Sequence, residues 1–163
     1  MAKKVLLETR SEPAFFTLVG ISCHLMDYRL IYSLNKDLEF NFVKESDFHL
    51  STTDSDKTKE GFSFYLNRDE DHRISYYLIS NRNREAILFP ALKQVDFILI
   101  MEGLLQKGKK ENLMTTLRKI PNLLTAFELK FSEIKHYESF LTDIEMHIFE
   151  INRGVNQKLI RSK

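Results

Sequence analysis

Residues 61–83 read GFSFYLNRDEDHRISYYLISNRN. Two runs rich in aromatic and β-branched residues flank the polar centre Arg68-Asp69-Glu70-Asp71-His72. Side chains of that kind suit the half-buried surface of a pleated sheet, and so polar a centre between them marks a chain reversal, so the stretch predicts an antiparallel hairpin. A lone hairpin is marginal in water, so more strands are required. The run VDFILIM, residues 95–101, is almost continuously apolar, the pattern of a strand covered on both faces near the middle of a sheet. Residues 3–9, FFTLVGI at 15–21 and LLTAFELKF at 123–131 are further strand candidates, the second ambiguous with a buried helical turn.

Helical periods separate these runs. In DYRLIYSLNKDL, residues 27–38, Leu30, Ile31, Leu34 and Leu38 form one face opposite Arg29, Ser33, Lys36 and Asp37, with Asp27 placed to cap the helix. A second helix follows residues 103–110, with Leu113, Leu117 and Ile120 on one side and a stop at Pro121. From Ser132 onward Ile134, Tyr137, Leu141, Ile144, Ile148, Ile151 and Val155 recur at alternating spacings of three and four, with Gly154 as the expected stop. Strands and helices that alternate irregularly around a hairpin predict a single α+β domain, an antiparallel or mixed sheet packed against about three helices. Residues 1–141 make up that domain. Residues 142–163 form a helical extension that either completes the same domain or contacts a second copy, and the series Ile134 to Ile151 is the candidate self-association seam.

A chain of 163 residues can bury a core without disulfides or structural metal. With 43% hydrophobic and 29% charged residues it is not a disordered chain, and its thirteen Phe and six Tyr must mostly pack inside. The net charge of +1 supplies no global attraction to nucleic acid or anionic membrane, so any such binding has to be local. Cys23 is the single cysteine, MAKKVLLETR lacks a secretory apolar core, and no stretch approaches the roughly 18 apolar residues of a membrane span. These features predict a cytoplasmic protein without a membrane partner.

Several motifs imitate catalytic or binding signatures. GLLQKGKK, residues 103–110, follows the phosphate-binding pattern G-x-x-x-x-G-K-[ST] between a strand and a helix, but Lys110 replaces the hydroxyl that would hold magnesium. What survives is a basic cluster, Lys107, Lys109 and Lys110 with Arg118 and Lys119 beyond, that an anion or an RNA backbone would relieve at a helix N-terminus. Asp54, Asp56 and Thr58 open like a calcium loop, yet Lys59 stands at the required glycine and Tyr65 at the bidentate glutamate. Asp69, Glu70 and Asp71 read as a solvated turn, and neighbouring Cys23 and His24 diverge too readily to make a nucleophile and its base. His49, His72, His136 and His147 have no metal-ligand spacing. Neither a metal nor a cofactor is expected, and the G-x-S-x-G and G-x-G-x-x-G signatures are missing.

The segment FPALKQVDF, residues 89–97, resembles the motif of the IPExxxVDY family of uncharacterised bacterial proteins. Phe89-Pro90-Ala91 stands for Ile-Pro-Glu and Val95-Asp96-Phe97 for Val-Asp-Tyr; the similarity extends through LVGISCHLMDYRLIYSLNKDL and YYLISN and covers residues 3–141. The resemblance implies a compact domain and no activity. Ala91 carries no proton, so the motif reads as architectural: Pro90 fixes a turn, Val95 and Phe97 enter the core, and Asp96 ties the loop's backbone amides to the start of the strand. The sequence thus predicts a non-enzymatic interaction or assembly module that forms a homodimer or binds an unspecified partner. A nucleic-acid or phosphate-ligand-binding domain built on residues 107–110 is the alternative. An enzyme with an unlisted site around Asp27, Tyr28 and Asp96 is the second.

Overall fold

The structure is a computed structural model that describes residues 15–51 and 61–161. The strand expected at 3–9 and the calcium-loop imitation at 54–59 lie outside the described residues. Along the chain come β1 (Phe16–Cys23), α1 (Asp27–Asp37), β2 (Val43–Phe48), β3 (Phe62–Asp69), β4 (Ile74–Ser80), β5 (Phe97–Glu102), α2 (Lys109–Leu117), β6 (Leu123–Leu129) and α3 (Tyr137–Arg161). The strands form one sheet in the order β2-β3-β4-β5-β1-β6, antiparallel throughout. The hairpin of residues 61–83 is β3–β4, with Asp69 opposite Ile74. The apolar run of residues 95–101 supplies β5, inside the sheet between β4 and β1.

Alternation along the strands sends side chains to two cores. Leu18, Phe64, Leu66, Tyr77, Ile79, Ile98 and Ile100 face α3, which contributes Phe140, Leu141, Ile144 and Ile151. Val19, Ile21, Tyr65, Leu78, Leu99 and Met101 face the opposite way, against Leu30, Ile31 and Leu34 of α1 and Leu113, Met114 and Leu117 of α2. That double cover is why β5 is apolar at successive positions.

Three helix termini differ from expectation. Met26, rather than Asp27, occupies the position before α1; Asp27 begins the helix and its Oδ2 accepts a hydrogen bond from the Tyr65 hydroxyl at 2.9 Å. Ile134 precedes α3 in extended conformation after a 3-10 turn at Phe131–Glu133, and His136, with φ 57°, separates it from the helix. Gly154 does not end α3, because its backbone stays out of the left-handed region that a glycine stop uses. The helix therefore crosses residue 142 without a break. Ile134, Leu141, Ile144 and Ile151 are buried in the core of their own chain, with Tyr137 and Ile148 packed against it, so of the two surfaces that the series could meet it lines this chain's sheet.

Residues 81–96 make a long excursion between two strands that are neighbours, and this segment covers the α3 face with Leu88, Phe89, Leu92 and Val95. Its anchor is Asn81, which is 0% exposed. The Asn81 Nδ2 donates to the carbonyls of Leu92 (3.0 Å) and Val95 (2.8 Å), and its Oδ1 accepts from the Phe89 amide (2.9 Å). Its backbone amide donates to the Asp96 carbonyl and its carbonyl accepts from Leu88. Pro90 opens a 3-10 turn at Pro90–Leu92 inside this loop. Asp96 acts differently from expectation: its Oδ2 accepts from the Cys23 amide of β1 at 3.0 Å and its Oδ1 from Arg82 Nε at 3.3 Å. It joins the loop's end to the neighbouring strand, because its side chain reaches the end of β1, while loop amides are taken by Asn81 at Phe89 and by Asn83 at Glu85 and Ala86. Gly20 of β1 lies beneath; a Cβ there would stand 3.1 Å from Val95 Cγ2 and 3.3 Å from Leu129.

Among the described residues, β2 and β6 are the edge strands of the sheet, and each carries a guard. Ile21 directs its carbonyl toward Asp96 on the β5 side, so its antiparallel partner Ala126 presents its carbonyl outward from β6. Arg118 covers that carbonyl with Nε and Nη2 at 3.3 and 3.2 Å. On β2, register shifts between Glu45 and Phe48, and His147 of α3 bonds the Ser46 carbonyl through Nε2 at 2.9 Å. Edge irregularities and side chains on outward carbonyls suppress strand addition.

Replacing Asn81 with Leu leaves the Phe89 amide and the Val95 carbonyl unpaired inside the protein, the Leu92 carbonyl keeping the Val95 amide, and should lower unfolding free energy by about 3 kcal/mol in urea titration, against about 1 kcal/mol for Asp96→Asn, which keeps an acceptor. Equal small losses would show that apolar packing alone holds the loop. Burial pushes the His147 imidazole below its ordinary value, the Ser46 bond and nearby Glu150 and Glu45 opposing that shift and His49 adding to it. The unfolded chain then binds a proton that the folded one refuses, so this contribution is complete above pH 6.5 and is lost as pH falls below it. The stability difference between wild type and His147→Gln should shrink as pH is lowered through that window; a difference independent of pH would remove His147 as the cause.

Candidate functional site

The basic residues singled out above do not converge. Lys109 begins α2 and its Nζ lies 3.5 Å from Asp69 Oδ2, while Lys110 Nζ lies 3.0 Å from Glu128 Oε2 of β6. That hydrogen bond and charge hold the Lys110 ammonium above its ordinary value, with burial opposing weakly. Arg118 is on the Ala126 carbonyl, and Lys107 and Lys119 are exposed. Two carboxylates therefore offset the positive charges that would otherwise oppose the helix dipole. Gly108, with φ 85°, lets the chain turn into α2.

The carboxylates weighed for catalysis are engaged by different partners. Asp27 is bonded to Tyr65 and Asp96 to Cys23 and Arg82. Cys23 is buried; burial pushes its thiol up, the Leu25 carbonyl contact opposes this and Asp96 adds to it, so the sulfur stays protonated. Pro90, Val95 and Phe97 serve the loop and the two cores. Among the described residues no group of three His, Cys, Asp or Glu side chains is arranged to hold a metal ion. Also among them, no helix is long and apolar enough to cross a membrane.

A cleft of about 730 Å³ opens where the β3–β4 turn meets α2, with Phe40, Asn67, Asp69, Tyr76 and Lys109 among its lining. Asp69 braces that turn: Oδ1 accepts from the His72 amide at 3.2 Å and Oδ2 lies 2.8 Å from His72 Nδ1. Burial works against the carboxylate, but the two His72 bonds and the charges of His72 and Lys109 outweigh it and hold its titration below the ordinary range. Tyr76 beneath is pushed up to about 12, by burial first and by Asp69 second. His72 fixes the turn on Asp69 and Lys109 ties that turn to α2, so the work of Asp69 in the cleft is architectural.

A second groove, about 520 Å³, has a different character. Leu25, Tyr28, Arg29, Tyr32 and Ser33 form one wall and Pro121 and Asn122 the other. Tyr28 and Tyr32 stand 61% and 67% exposed, on the outer side of α1 away from Leu30, Ile31 and Leu34. Met26 and Leu124, next to the two walls in sequence, are also more than half exposed. Tyr32 is in reach of Lys36, whose Nζ lies 5.9 Å from the ring centroid. Amphipathic periodicity places both tyrosines on the polar face of α1 and so passes over them; the available signal was two large rings four residues apart on a face that solvent covers. This groove brings together Tyr28 and residues that the sequence marked only as a solvated face.

Compared with protein-family models, with curated proteins and with solved structures, the chain finds no match.

With Lys109 and Lys110 held by carboxylates, wild-type protein titrated with single-stranded RNA at low salt should show no saturable binding. Asp69→Asn combined with Glu128→Gln should release both lysines and produce weak binding that salt removes. Saturable wild-type binding with a steep salt dependence would restore residues 107–110 as a nucleic-acid site.

Proposed function

We propose that this protein is a non-enzymatic, cytoplasmic interaction or assembly module, and that its contact surface is the groove on α1. The observation that carries this reading is the pair Tyr28 and Tyr32, two large rings left in solvent by a fold that buries most of its aromatic residues in two cores. Exposed tyrosines have few rotatable bonds, a wide apolar face and a hydroxyl, so they gain contact area at low entropic cost when a partner covers them. Arg29 at the same wall adds a residue type enriched in protein contacts. The engagement of Lys109, Lys110 and Arg118 within the fold supports this reading over the anion-binding one.

The motif likeness supports the same conclusion. Pro90, Val95 and Asp96 turn, pack and tie the excursion between β4 and β5, which is the work of an architectural motif. On that likeness we assign the chain to the IPExxxVDY proteins.

A photo-crosslinking side chain introduced at Tyr28 should give a discrete protein adduct in cell extract, lost when Tyr32→Glu is added, while the same group at exposed Glu111 of α2 gives none. Equal diffuse labelling from both positions would refute the groove as a contact surface.

A further inference from the structure

We infer that the partner of the α1 groove is a second copy of this chain, bound about a two-fold axis that passes beside Ser33. This rests on the groove being an interaction surface and adds the occupant and the register. Arg29, Ser33 and Asp37 are spaced four residues apart along one ridge of α1. Arg29 and Asp37 are exposed, and neither has an ion-pair partner among the described residues. When two identical helices cross antiparallel about a two-fold axis at Ser33, Arg29 of each meets Asp37 of the other, and the small serine lets the helices approach. Opposite charges placed symmetrically about a small residue make this face complementary to itself. A strongly acidic partner would meet Asp37 and a strongly basic one would meet Arg29, so each is disfavoured where a second copy is matched.

Three other features agree. The net charge of +1 gives two copies almost no mutual repulsion. An isologous contact covers Tyr28 and Tyr32 on both chains at once, and Met26 and Leu124 extend the apolar area toward the roughly 800 Å² per partner of a standard interface. The outward β6 carbonyl at Ala126 is already occupied by Arg118, so a neighbour at this side of the molecule docks through helix side chains and the assembly closes as a dimer instead of extending the sheet.

Sedimentation velocity on the full chain across a micromolar concentration series tests this. Wild type should shift reversibly from monomer to dimer. Arg29→Asp and Asp37→Arg should each raise the dimer dissociation constant by roughly tenfold or more, and the double variant should return it toward wild type. Ser33→Glu, which sets like charge against like on the axis, should dissociate the dimer while leaving the monomer's circular dichroism unchanged, and it serves if a charge reversal impairs folding. A wild type that stays monomeric, reversals that leave the dimer intact, or a double variant that fails to rescue it would each overturn the assignment. If wild type is monomeric while Tyr28 crosslinks a different protein, the second copy is wrong and the interaction module stands; if Tyr28 crosslinks nothing, both fall.

Discussion

A buried amide side chain has to satisfy every polar atom it takes out of water, and in this protein that requirement fixes the longest irregular segment of the described core. Asn81 sits where β4 ends, with its Oδ1 and Nδ2 on the loop backbone at Phe89, Leu92 and Val95. Because an unpaired buried donor or acceptor is costly, there is one position for that loop, and Leu88, Phe89, Leu92 and Val95 are delivered to the sheet together. Phe89 then meets Phe140 of α3 edge to face at 4.9 Å, so the helix seats on a surface the loop has completed. The last tie is Asp96, whose carboxylate binds the end of β1 and whose backbone amide donates to Ile21. Carboxylate and amide together set the register in which β5 enters between β1 and β4.

The same economy of polar groups governs the margins of the sheet. Among the described residues the sheet ends at β2 and β6, and each of these edge strands meets a cation-bearing or imidazole side chain from a helix packed beside it: Arg118 next to α2 at Ala126, His147 from α3 at Ser46. These residues look like surface charge and a stray histidine in the sequence, and their work is to occupy carbonyls of the two edge strands. The basic cluster around residue 109 dissolves for a related reason. Asp69 arrives from the β3–β4 turn and Glu128 from β6, both distant in sequence from α2, and they neutralise Lys109 and Lys110 where the chain brings them together.

Among the described residues, the outer side of α1 is left without a partner. Its inner side is fixed by Leu30, Ile31 and Leu34 under the sheet, which leaves Tyr28 and Tyr32 pointing outward with Arg29 and Asp37 beside them. The polar cleft at the β3–β4 turn is larger, but its Asp69 is already matched to His72 and Lys109, whereas the groove presents two exposed rings beside Arg29, with Asp37 farther along the same helix. That contrast is why the functional reading rests on the smaller feature.

The sequence by itself determined what local chemistry determines. Alternating aromatic and β-branched residues around Arg68–His72 specified the hairpin, continuous apolarity marked β5 as doubly covered, and the spacing of Leu30, Ile31 and Leu34 oriented α1. These signals are legible because strand and helix periods are properties of neighbouring residues. Tertiary structure alone decided the rest. Asn81 lies at the end of an ordinary strand pattern and gains its role from carbonyls up to fourteen residues away. Asp96 finds its amide at Cys23, 73 residues earlier. The series from Ile134 to Ile151 is equally suited by its spacing to a second chain or to its own sheet, and only the placement of Phe64, Phe89 and Ile98 beneath it settles that it packs at home. Periodicity fixes which side of an element is apolar; which surface meets that side is a long-range fact, set by how the whole chain satisfies its buried polar groups at once.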